Sequence, residues 1–360
     1  MARPIVAEVD LAAIAANLAR ARRYAPSTEV LAVVKANAYG HGLERVLPAL
    51  VDADGLALIE LDAALLLRAA GYARPILLLE GFFDAGELDS IAAHRLRVVV
   101  HDAEQVRMLE RSRLSTRVDV YVKANTGMNR LGFPPADVAA MCTRLARVSS
   151  VGTIRLMMHF ARADEDDGIA GPLARFERAC EGLDYERSLA NSAGVVRYAE
   201  VGGRGVRPGI MLYGASPFAN RSAESLGLRP AMTLRSKIVG EQTLSPGDGV
   251  GYGASFRAPH PMRIGVVACG YADGYPRLAP AGTPVLVAGR RVPMAGRVSM
   301  DMITVDLSAV PDARVGSDVV LWGNGLPVDE VAAKASTVGY ELLCAVAARV
   351  PFVVRERLGG

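Results

Sequence analysis

A chain of 360 residues, 51% of them hydrophobic, has enough apolar surface for a large core or two domains. Its 41 Lys and Arg against 38 Asp and Glu leave a formal charge of only +3, and no basic run is interleaved with aromatics, which argues against a nucleic-acid partner. The four cysteines, Cys142, Cys180, Cys269 and Cys344, form no C-x-x-C pair; this argues against a metal knuckle or a disulfide framework and predicts a reducing, cytoplasmic setting.

The opening "MARPIVAEVD" places Pro4, Glu8 and Asp10 where a signal peptide needs an unbroken apolar stretch. The most apolar region, residues 55–81, is interrupted by Glu60, Asp62, Arg68 and Arg74 and does not read as a membrane span. From residue 28 to 210, short aliphatic runs alternate with amphipathic stretches. The runs are "EVLAVV", "GLALI", "PILLL", "RVVV", "VDVYV", "TIRLMM", "RSLA" and "GVRPGIML". Between them lie "LERVLPALVDA", "DAGELDSIAAHR" and "PADVAAMCTRLARV", with apolar residues three and four apart. That alternation predicts an α/β fold, a closed (β/α)8 barrel of the TIM type, with a doubly wound open sheet as the alternative.

After "LGLRPAMTL" the texture changes to short strands and turns, "PGDG", "GYADGYP", "AGRR" and "WGNG". The predicted division is a barrel over 1–230 and a mostly β domain over 231–360, with residues 1–10 able to pair with the second domain. A helix is expected over "PVDEVAAKAS", and Pro351 should separate a short helix from a last strand.

Side chains alternate along a strand, so parity sorts them by face. Leu31, Val33 and Lys35 lie together; so do Asp119, Tyr121 and Lys123, and Arg155, Met157 and His159. The aliphatic sets, such as Val118, Val120 and Val122, would pack on helices and leave the polar sets inside. Lys35, Lys123 and His159 are then the last inward residues at the C-terminal mouth, where barrel enzymes keep their chemistry. An amine in a dry pocket sheds its proton more readily, which makes Lys35 a candidate Schiff-base lysine.

"VVKANAYGHG" closely resembles the cofactor-lysine segment of the alanine racemases, a pyridoxal phosphate-dependent family of fold type III. "VKANTGMNRLGF", "MMHFARADE", "NSAG", "VRPGIMLYG", "VGYGASF", "GYADGYPR", "RVSMDMITVDL" and "YELLCAVAARVP" follow in the family's order along the whole chain. The resemblance implies interconversion of L- and D-alanine by two bases on a pyridoxal 5'-phosphate aldimine, in a homodimer with shared active sites. Lys35 would hold the cofactor, and Tyr39, Asn191, Ser192, Tyr340 and the backbone at Gly209 and Ile210 would bind it around the phosphate. Taken alone, Ser192 reads equally as a helix cap and the two tyrosines as core rings.

By the same resemblance, Arg207 would face the pyridine nitrogen, with His159 hydrogen-bonded in the network behind Arg207 and Tyr252. Arg130 would reach the cofactor and the substrate carboxylate, oriented by Lys123 carbamylated to N6-carboxylysine. Lys35 would serve the D-side proton. Tyr252, from the other subunit, would serve the L-side proton, its phenol leaning on His159. Met300 and Asp301 would lie at the substrate, and Asp164, Tyr271, Arg277 and Arg297 along the access corridor. Asn125 departs from the aspartate of many relatives. Cys344 sits in an apolar helical run and reads as structural, unlike the late catalytic cysteine of fold III decarboxylases of basic amino acids. The single-barrel pyridoxal phosphate-binding proteins, another alternative, lack a β domain.

Overall fold

The computed structural model describes residues 3–201 and 203–355. The predicted domain limits at residues 1 and 360 lie outside the described residues. Strand β1 (Val6–Asp10) leads into helix α1 (Leu11–Tyr24), whose first turn is capped by the Asp10 carboxylate accepting from the Ala13 amide at 2.8 Å.

Eight parallel strands follow: β2 (Glu29–Val33), β3 (Gly55–Leu58), β4 (Ile76–Leu78), β5 (Arg97–Val100), β6 (Val118–Lys123), β7 (Val151–Met157), β8 (Arg187–Ser188) and β9 (Gly205–Val206). Each pairs with the next, and β9 closes on β2 through Glu29–Gly205 and Val30–Val206. The barrel is therefore closed, and the open-sheet alternative falls. Two stretches are shorter than their patterns predict, both because of proline. Pro208 cannot donate to a ladder, so the eighth run stops at Val206 and Ile210–Tyr213 becomes a 3-10 turn. Pro48 likewise divides the first amphipathic stretch into a helical turn, Leu43–Val46, and a 3-10 turn, Leu47–Leu50.

The barrel interior follows the parity of the strands. At its N-terminal end Arg97 pairs with Glu29 at 2.7 Å and Arg155 with Glu186 at 2.9 Å, and both reach toward Asp119 at 3.9 and 3.8 Å. Tyr121 lies above them, its hydroxyl 3.4 Å from Arg97 Nη1. The outward valines Val118, Val120 and Val122 are fully buried. An ionic floor thus closes one end of the barrel, leaving the other end for the site.

The second domain is built on an eight-stranded sheet around the long strand β10 (Met232–Leu244). Strand β1 lies antiparallel to β10 and parallel to Phe352–Arg355, so the two ends of the chain meet in this sheet. One hydrophobic core runs from the barrel into it, while Val250, Ala258, Met262 and Ile264 form a small separate cluster.

Asp273 ties the second domain to both chain ends. Fully buried, it accepts from Arg3 Nη1 at 2.7 Å, Arg349 Nε at 2.8 Å and the Gly270 amide at 2.9 Å. Burial alone would raise its pKa, but the two guanidiniums and the amide outweigh burial and hold it below the usual carboxylate range. A carboxylate with a depressed folded pKa stabilises the protein above its unfolded pKa, and that contribution is lost as the pH falls through the folded value. Asp273→Ala is expected to cost about 2–3 kcal/mol at neutral pH. The difference from the parent in urea unfolding should shrink in acid, below the folded pKa; a pH-independent difference would contradict this account.

Candidate active site

Strand β2 ends at Val33, and Lys35 projects from the mouth of the barrel into a cavity of about 610 Å³. The next four residues, Ala36, Asn37, Ala38 and Tyr39, have φ of 52, 52, 56 and 52°, a left-handed turn built without glycine. Such backbone costs roughly 1–2 kcal/mol per residue. It is braced by bonds from the Ala38 amide to Val34 O (2.9 Å), Gly40 to Ala36 O (3.0 Å) and Gly42 to Asn37 O (2.9 Å). The turn places Lys35 at its start and the Tyr39 ring at its end, both on the cavity wall.

The cavity also gathers Lys123 from the end of β6, with Arg130, His159, Asp164, Asn191, Ser192, Arg207, Gly209, Ile210 and Tyr340. Helix Ser192–Arg197 starts at this wall, with Asn191 Oδ1 capping it through the Gly194 amide at 3.0 Å. Ser192 Oγ accepts the Gly209 amide at 2.8 Å. A Cβ at Gly209 would lie 2.4 Å from the Tyr39 hydroxyl oxygen, so only bare backbone can approach that phenol. The Tyr39 ring stacks on Tyr213 at 4.7 Å and meets Tyr340 at 6.0 Å.

Buried Arg207 donates through Nη1 to Ser188 O (2.7 Å) and Oγ (2.6 Å), and through Nη2 to Met158 O at 2.7 Å. Burial lowers its pKa to about 10, which still leaves a cation at neutral pH. Among the described residues His159 makes no direct hydrogen bond to Arg207, whose Nη donors are held by carbonyls and the Ser188 hydroxyl. His159 Nε2 instead faces Asn191 Nδ2 at 3.4 Å. Burial, then the charges of Arg207, Lys123, Arg130 and Lys35, drive the His159 pKa down to about 3. Its imidazole is neutral across the working range and can only relay or orient. Burial and the neighbouring cations Arg207 and Arg130 also lower Lys123, to about 8, although Glu80 opposes them.

Cys344, in its apolar helical run, is exposed and lines the cavity, because the helix Gly339–Cys344 packs on the turn after Lys35: a Cβ at Gly40 would lie 2.1 Å from Leu343 O. Glu80, missed in the sequence, also lines the cavity; it follows β4 as Lys35 follows β2, and that position was its available signal. Asn125 accepts from the amides of Gly127 (3.2 Å) and Asn129 (3.0 Å), shaping the loop that carries Arg130.

The sequence matches the family description "Alanine racemase, N-terminal domain" over residues 9–217 and "Alanine racemase, C-terminal domain" over 231–354. The chain belongs to the alanine racemase family. An alanine racemase of Nitrosospira multiformis is 57% identical over 353 residues, 97% of this chain and 99% of that protein. A catabolic alanine racemase of Klebsiella aerogenes is 52% identical, covering 98% and 99%. The crystal structure of the biosynthetic alanine racemase from Pseudomonas aeruginosa superposes with a TM-score of 0.96 at 49% identity, covering 98% of this chain and all of that one.

Six of the residues implied by the family lie elsewhere in this chain. Tyr252, Tyr271, Arg277, Arg297, Met300 and Asp301 belong to the β domain and do not line the cavity. Tyr252 is 72% exposed, at a turn flanked by the positive-φ residues Gly251, Gly253 and Ala254. Arg297 approaches that turn, Arg277 lies over the Tyr271 ring at 5.9 Å, and the Tyr271 amide donates to Ser299 O at 3.0 Å. The Asp301 carboxylate pairs with Arg349 at 2.7 Å. Met300 and Leu278 are exposed as well.

Proposed function

We propose that this chain racemises alanine with pyridoxal phosphate held at the barrel mouth, and that two chains share each active site. The observation that carries the reading is the single cavity joining Lys35, Arg207 and an anion cradle of Tyr39, Ser192 and the Gly209 backbone. The cradle suits a phosphate ester: Gly209 has no room for a side chain beside the Tyr39 phenol, and helix starts offer N–H groups to an anion. Tyr340, Asn191 and Ile210 would complete the contacts.

When bound, pyridoxal phosphate supplies an electron sink that acidifies the substrate's α-C–H bond. Lys35 would anchor it, and the same amine would serve as the base on one face. Tyr252 of a second chain would hold or release the proton on the opposite face, with neutral His159 available to orient it. Arg207, fixed by its acceptors, would face the ring nitrogen as a cation that does not surrender its proton, which would restrain the sink and protect against side reactions. Arg130 would grip the substrate carboxylate. The Met300 amide and Asp301 of the second chain would approach the same end, with Asp164, Tyr271, Arg277 and Arg297 along the way in.

Lys123 would carry a carbamate. Its lowered pKa leaves free amine to attack carbon dioxide, and the resulting anion would turn a repulsion with Arg130 into an ion pair. An intact mass under native conditions should exceed that of the chain with its bound cofactor by one carbon dioxide; a mass without that increment would refute this. The buried free cysteines Cys142, Cys180 and Cys269 suit the cytoplasm, and among the described residues no helix is long and apolar enough to cross a membrane.

The decisive assay supplies L-alanine and pyridoxal phosphate to the purified protein and measures D-alanine. Its formation, in both directions, is expected; a folded protein that binds the cofactor but forms none would overturn the reading.

A further inference from the structure

His41 lies outside every role assigned above, yet it sits where the backbone is most strained. The left-handed turn Ala36–Tyr39 needs partners for its carbonyls in a conformation that L-residues avoid. His41 Nδ1 is 3.0 Å from Ala38 O, which also accepts the His41 amide at 3.0 Å, and 2.9 Å from Tyr39 O. Both atoms are acceptors, so Nδ1 carries the proton, and Nε2 is a buried lone-pair nitrogen with no polar partner.

One ring nitrogen is thus left unpartnered while the other serves two carbonyls. The ring is completely buried and lies on Tyr213 at 4.6 Å, and Tyr213 in turn stacks on Tyr39 and donates its hydroxyl to Val33 O at 2.9 Å. Burial, with a smaller contribution from Arg45, pushes the imidazole pKa down to about 4, so the donor stays in place through the neutral range.

We infer that His41 is a positioning residue: its Nδ1–H ties Ala38 and Tyr39 into the left-handed turn and thereby sets Lys35 and the Tyr39 hydroxyl at the cavity. This rests on the cofactor reading above for its consequence, but not for its structural part. The test compares His41→Asn, which keeps a short N–H donor, with His41→Phe, which keeps a ring against Tyr213 and loses the donor.

Three quantities are measured: amide hydrogen exchange over residues 36–43 in the full chain, the affinity of the cofactor-stripped protein for pyridoxal phosphate, and kcat and KM for alanine. In His41→Phe, exchange is expected to rise and cofactor affinity to fall by about tenfold each, with kcat reduced more than KM is raised. His41→Asn should recover most of each loss. Should His41→Phe not fold, His41→Leu serves as the donor-free member of the pair. Parent-like exchange and affinity in the donor-free variant, or an Asn variant as impaired as the donor-free one, would overturn the inference. A parent protein that binds no pyridoxal phosphate would instead sink the functional reading, and the exchange comparison would still decide the role of His41.

Discussion

Lys35→Ala is expected to lower kcat/KM for alanine in both directions by at least about 10³-fold, with the fold unchanged. A single positioned acid or base is worth about 10²- to 10⁴-fold, and this substitution also removes the covalent anchor, so the loss should lie toward the upper end. The side chain projects into the cavity and forms no ion pair or hydrogen bond in the described structure, so its truncation removes no core packing. The variant should therefore unfold at the parent's urea midpoint and still bind pyridoxal phosphate, held by the cradle of Tyr39, Ser192 and Gly209 alone. Near-parental racemisation by this variant would mean that the amine following β2 is not the anchor, and the site would have to be rebuilt around Lys123.

Tyr252→Phe is the sharper test, because in this chain the phenol lies on the surface, away from the cavity. Racemisation is expected to fall about 10²- to 10⁴-fold. Lys35 remains, so the variant should still exchange the α-hydrogen of D-alanine with solvent while failing to form L-alanine. Loss of exchange and conversion together would refute the assignment of separate faces. Sharing of sites between chains has its own readout. Two inactive variants, Lys35→Ala and Tyr252→Phe, mixed as unfolded chains and refolded together, place one intact site in each mixed dimer. Random pairing of equal amounts should restore about a quarter of parental activity, as expected for a two-fold dimer. No recovery would place both groups in one chain.

How much of this was legible beforehand depends on the range of the information. Alternation along β2, β6 and β7 is covalent geometry, so parity alone assigns Lys35, Lys123 and His159 to the inward face with Asp119, Tyr121 and Arg155. The ordered family blocks added the identity of the partners around the cavity. Two contacts were decided by neighbours far away in the chain. The Nη donors of Arg207 went to Met158 O, Ser188 O and Ser188 Oγ rather than to His159. Cys344, apolar in its local run, became a cavity residue once its helix packed on Gly40.

The left-handed turn after Lys35 was invisible for a related reason. Ala36, Ala38 and Tyr39 carry no glycine signal, and they are held there by bonds involving Val34, Ala36, Asn37, Leu43 and both the amide and the imidazole of His41. What the sequence determined was periodicity and the order of chemical groups, which are properties of adjacent residues. Left to the folded chain were the registers in which β9 meets β2 and β1 lies between β10 and the last strand, and the strained turn. Those depend on the summed packing and hydrogen bonding of segments far apart in the chain, and no local pattern encodes that sum.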